Sequence, residues 1–86
     1  MDIGEIKTQV RSFVTTNFYV ANPAALADDA SLLDQGIIDS TGILELVFFL
    51  EGQYGIAVSD KEMIPANLDS IARVAGFVGR KIAGNV

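Results

Sequence analysis

From Ile43 to Leu50 every residue except Glu45 is apolar, and this stretch limits the fold more than any other. The helix it implies, from about Ser40 to Tyr54, has apolar residues almost all round. Such a helix is either fully buried or offers one apolar side to a partner. In a chain of 86 residues there is too little protein to cover it completely. Ser40, Leu44 and Phe48 fall at i, i+4 and i+8, so they share one stripe. We expect Leu46, Phe49 and Leu50 in the core, and Leu44 and Phe48 on a recognition face. The plain alternative is that Phe48 is also core.

The rest of the chain is expected to complete a single domain over residues 1–86, with an ordered core of about 2–82. Half the residues are hydrophobic, which argues against disorder. Ile3, Ile6, Val10, Phe13 and Val14 recur at helical spacing and predict a first amphipathic helix from Asp2 to about Phe18. Residues 19–39 have no sustained period; Ala24 to Ala27 suits one short helical turn, and Leu32, Leu33, Ile37 and Ile38 read as plugs that pin this long loop to the bundle. Gly52 and Gly55 are expected to end the second helix. Ser59 with Glu62 three residues on has the form of a capping box, predicting a short helix over 59–64 closed by Pro65. A last helix follows Ser70, with Ile71, Val74, Phe77, Val78 and Ile82 inward, Arg73, Arg80 and Lys81 toward solvent, and residues 84–86 frayed. The predicted fold is all-α, a four-helix bundle of three longer helices and one short one.

Charge and composition exclude several function classes. Net charge is −5, which disfavours nucleic acid and anionic membrane surfaces as partners and favours proteins with basic patches. There is no cysteine and no histidine, so disulfides, a cysteine nucleophile and the usual zinc sites are all ruled out. No run is long enough for a membrane span, and the first residues lack the basic-then-apolar order of a signal peptide. A cytoplasmic location is expected. No clustering of carboxylates points to paired acid and base groups, so no enzyme activity is expected.

The strongest site signal is the turn before the second helix. Gly36-Ile37-Ile38-Asp39-Ser40 places a serine hydroxyl at a helix N-terminus, where free N–H groups and the positive end of the dipole favour an anion. With no histidine to act as base, that serine reads as a place where phosphate is put. The segment resembles the phosphopantetheine-attachment site of the acyl and peptidyl carrier proteins. The resemblance rests on Gly36, Asp39-Ser40, Glu45-Leu46, Leu50-Glu51, Tyr54-Gly55 with Ile56 and Val58, then Ser70-Ile71, Val74, Phe77 and Val78, covering roughly residues 32–80. Thr41, where the family usually has leucine or methionine, and Gly42, where fatty-acid carriers tend to be acidic, depart from it.

The resemblance implies a bundle of the acyl-carrier type with a long first loop. It implies a phosphopantetheine arm, taken from coenzyme A and esterified to Ser40, whose thiol holds an acyl or aminoacyl group as a thioester. Asp39 would support the site and help hold magnesium during arm transfer, with no permanent metal; its plain alternative is helix capping. The implied partners are a phosphopantetheinyl transferase, an adenylating acyl or aminoacyl ligase and downstream acyl-transferring enzymes. We expect them to meet a monomer on Thr41, Leu44, Glu45, Phe48 and Glu51; the plain alternative for the two glutamates is a solvated face. The wording around Ser40 looks closer to carriers served by adenylating ligases, D-alanyl and peptidyl carriers among them, than to the fatty-acid carrier. We therefore expect a specialised stand-alone carrier.

Asp69-Ser70 repeats the Asp-Ser pair before an apolar helix, but lacks the glycine turn and the Glu-Leu pair, and reads as a helix cap. Gly42 costs a helix about 1 kcal/mol relative to alanine, which would suit close approach by an arm or partner. The rival reading of the whole chain is an unmodified helical interaction module that uses the second helix.

Overall fold

The computed structural model describes residues 2–84. It contains four helices, α1 (Ile3–Asn17), α2 (Ser40–Tyr54), α3 (Pro65–Leu68) and α4 (Ile71–Gly84), and no strand among the described residues. The expected all-α bundle of three longer helices and one short one is therefore the observed architecture.

In α1 the apolar stripe buries Ile6, Val10 and Val14 completely. Ile3, at the start of the same stripe, remains 40% exposed. The helix follows Asp2, in extended conformation, and stops at Phe18, whose extended backbone carries the chain away. Helix α4 meets α1 with Ile71, Val74, Ala75, Phe77 and Val78 buried, and these two helices pack most closely. Leu46, Val47 and Leu50 of α2 complete the core.

Helix α2 joins α1 through its rings. Phe49 stacks on Phe13 with centroids 4.3 Å apart and planes 14° from parallel, and Tyr54 meets Phe49 edge-on at 6.3 Å. The Tyr54 hydroxyl donates to Gln9 Oε1 at 2.7 Å. Burial pushes its phenol above the ordinary value, with Glu5 adding to the effect. Phe49, expected as core, is thus half-buried in the α1–α2 seam.

The long loop is stitched to the α3–α4 junction. Leu32 N–H donates to the Asp69 carbonyl at 2.8 Å, while the Asp69 carboxylate takes the Ser31 hydroxyl at 2.6 Å and Leu33 N–H at 2.9 Å. Ala72 N–H donates to the Asp28 carbonyl at 2.8 Å, and Arg11 and Lys7 of α1 pair with the Asp28 carboxylate. Pro23–Ala25 forms one 3-10 turn close to the expected place. Of the four expected plugs, Leu32 and Ile38 are buried, whereas Ile37 is half-buried and Leu33 is 37% exposed.

Three further boundaries differ from the sequence expectation. Gly52 lies inside α2, which continues to Tyr54 and ends at Gly55 in the left-handed region (φ 65°). The 59–64 segment forms only a 3-10 turn over Asp60–Glu62, and Pro65 opens α3 instead of closing a helix. Proline suits a first helical position because that residue's N–H has no intrahelical partner and its fixed φ is already helical. Glu62 does serve Ser59 as expected, accepting its N–H at 3.0 Å. The cationic residues of α4 are also engaged: Lys81 bridges to Glu62 at 3.0 Å, Arg80 donates to Asn67 Oδ1 and Arg73 donates to the Pro65 carbonyl, both at 3.3 Å. They tie α4 to α3 and the turn before it. Gly84 is still helical, and the fraying expected for Asn85 and Val86 lies outside the described residues.

Candidate functional site: the turn leading into α2

The turn is built from Leu33 to Asp39. Gly36 adopts φ 68°, which a side chain would resist, and donates its N–H to the Leu33 carbonyl at 3.0 Å. Ile37 and Ile38 N–H both point back to the Leu32 carbonyl, at 3.0 and 3.3 Å. Buried Leu32 and Ile38 thus anchor both ends of the reversal. Asp39 then caps α2, its Oδ1 accepting Gly42 N–H at 2.8 Å while its carbonyl accepts Ile43 N–H at 3.0 Å.

Ser40 is the first residue of α2 and is exposed. Among the described residues no hydrogen bond engages its hydroxyl. The other Asp-Ser pair is arranged in the opposite way. Ser70 is 3% exposed, and its hydroxyl accepts Arg73 N–H at 3.0 Å to cap α4. Asp69 is taken up by the loop. The two serines that helix physics alone leaves equivalent are separated by burial.

Two hollows flank Ser40. On one side a groove of about 370 Å³ begins at Ser40 and runs between α2 and the 63–65 segment, walled by Leu33, Ile43, Leu44, Met63, Ile64 and Pro65. On the other, Phe18, Ile37, Asp39, Thr41 and Glu45 surround a hollow of about 300 Å³. Leu44 is 50% and Phe48 74% exposed, so the Ser40–Leu44–Phe48 stripe faces outward along its length. Glu45 and Thr41 are exposed beside it. Glu51 is placed differently: its Oε2 accepts Val58 N–H at 2.9 Å, fastening the segment after α2 to the helix.

No family model matches the chain. The D-alanyl carrier protein of Abiotrophia defectiva is 31% identical over 55 residues, which span 64% of this chain and 70% of that protein. The chain belongs to the acyl and peptidyl carrier protein family.

In this carrier the groove walls beyond α2 were not legible as such. Met63, Ile64 and Pro65 follow no period, and the capping pattern before them points to a short helix, not to a groove wall. Leu33 was expected inside and instead forms the opposite lip. Gly42 is explained from within the chain. A Cβ there would lie 2.9 Å from Phe18 Cε1 and 3.1 Å from Ile38 Cγ2, so glycine is what lets the Phe18 ring close against the first turn of α2. No helix among the described residues is long and apolar enough to cross a membrane.

Proposed function

We propose that Ser40 carries a phosphopantetheine arm and that the protein presents an acyl or aminoacyl group on it, as a thioester, to partner enzymes. One observation carries the assignment to this serine: Ser40 is exposed at the start of α2 with its hydroxyl unengaged among the described residues, while Ser70 is buried and occupied as a cap. The site suits the group. The Ser40 hydroxyl opens onto the positive end of a fifteen-residue helix, which favours a phosphodiester. The adjoining groove is walled by apolar side chains without a charge. Asp39 contributes through Oδ1 to the cap, and its Oδ2 is the atom left to meet magnesium during arm transfer. The arm would supply the thiol that a cysteine-free chain lacks.

In this reading the chain is a carried substrate of other enzymes, a single cytoplasmic carrier domain working as a monomer. A transferase loads Ser40, an adenylating ligase charges the thiol, and acyl-transferring enzymes unload it. Leu44 and Phe48 would meet these partners, with Thr41 and Glu45 at the rim. The relative named for a D-alanyl group favours an aminoacyl cargo. The test is incubation with coenzyme A, magnesium and a broad-specificity phosphopantetheinyl transferase, followed by intact and peptide masses. One arm on Ser40, lost in Ser40→Ala and kept in Ser70→Ala, is the expected result. A folded protein that several transferases leave unmodified would return the chain to the interaction-module reading.

A further inference from the structure

The ring of Phe18 touches the turn that carries Ser40, although Phe18 lies outside the region of family resemblance. Phe18 caps α1, its N–H donating to the Val14 carbonyl at 3.0 Å, and its ring meets Phe13 edge-on with centroids 5.9 Å apart. Phe13 in turn stacks on Phe49. A line of rings therefore runs along the α1–α2 seam from Tyr54 to Phe18, and its last member rests on Gly42. Gly42 is held in three ways: Asp39 takes its N–H, and the Phe18 ring and the Ile38 Cγ2 methyl both fill the space where a Cβ would be. Two residues earlier the backbone is that of Ser40.

We infer that Phe18 is a positioning residue for the acceptor turn, its ring seated on Gly42 so that the first turn of α2 is held against α1 and Ser40 is presented in one place. Asp39 closes the turn on itself but does not connect it to α1. The ring makes that connection, and it lies close enough that a methyl group at residue 42 would have to displace it. The value of this seating for arm transfer rests on the carrier reading; the seating itself does not.

The experiment compares Phe18→Leu, Gly42→Ala, their double variant and Val78→Ala, a core change in α4 remote from the turn. Amide hydrogen exchange and transferase loading are both measured. An edge-on ring pair contributes enough that its loss should speed exchange by about three- to tenfold. In Phe18→Leu that acceleration should appear at Gly42 and Ile43 N–H, which Asp39 protects, and exceed the change at Val74 and Val78. Loading should fall in Phe18→Leu and Gly42→Ala, but not in Val78→Ala. The double variant should load faster than Gly42→Ala alone, because leucine lacks the ring atom that the new methyl would strike first, with the Ile38 contact at 3.1 Å keeping the rescue partial. Relief of a clash would also restore folding, so loading is compared at equal folded fraction, where a merely structural role leaves no deficit to rescue. Exchange at Gly42 and Ile43 rising no more than in α4, or a double variant no better than Gly42→Ala, would overturn the inference. If the native chain accepts no arm, the carrier reading fails while the exchange data still decide the seating.

Discussion

Glu62 receives the Ser59 N–H, the Ser59 hydroxyl and the Lys81 ammonium on a single carboxylate. The Ser59 backbone bond, then the Lys81 contact, hold its pKa below the ordinary 4.5. A carboxylate depressed by folding adds stability above its unfolded value and loses it as pH falls through the folded one. The effect is therefore fully present at neutral pH and fades below about 4.5. Glu62→Gln should melt lower than the native protein at pH 7, with the gap narrowing as the pH is taken from 5 toward 3. A gap independent of pH in thermal melts would mean that the bond to Lys81 and the cap do not depend on charge.

At the scale of the element, α2 has two glutamates with different work. Glu45 is exposed beside Leu44 and Phe48, whereas Glu51 holds Val58 N–H. Glu45→Lys should leave stability within about 0.5 kcal/mol, as surface changes usually do, and slow association with a cognate ligase, most at low salt. Glu51→Lys should instead lower the melting temperature, since a lysine cannot accept that N–H. Stopped-flow association and thermal melts on the same pair separate the two effects; equal slowing by both reversals would return Glu51 to the partner face. This difference marks what the sequence could convey. The bounds of α2, the burial of Leu46 and Leu50 and the exposure of Leu44 and Phe48 follow from periodicity and from the scarcity of protein to cover the helix. The use of Glu51, the reversed role of Pro65 and the lip formed by Leu33 depend on where a non-periodic segment returns in space. Gly42 could be flagged as a cost to the helix, but its cause is a ring twenty-four positions earlier.

Across the whole molecule, the helices are fastened unequally. α1 and α4 share the aliphatic core, and α2 adds Leu46 and Leu50 to it while lying along α1 through its rings. Leu46 is completely buried, so Leu46→Ala should cost about 2–5 kcal/mol. Denaturant unfolding measures it, and a loss under about 1 kcal/mol would place Leu46 outside the core. The ring-lined seam also decides what ultraviolet light can report from this chain. There is no tryptophan, so near-ultraviolet emission comes from two tyrosines. Tyr54 stands in the seam with its hydroxyl on Gln9, and its emission follows the docking of α2 on α1. Tyr19 is 84% exposed, just past the other end of the seam, where it borders a hollow with Gly36 and Ile37 behind the acceptor turn. A quencher dissolved in water reaches Tyr19 far more readily than Tyr54, so one unlabelled sample carries an inner lamp for the fold and an outer one for the hollow that Gly36 and Ile37 line.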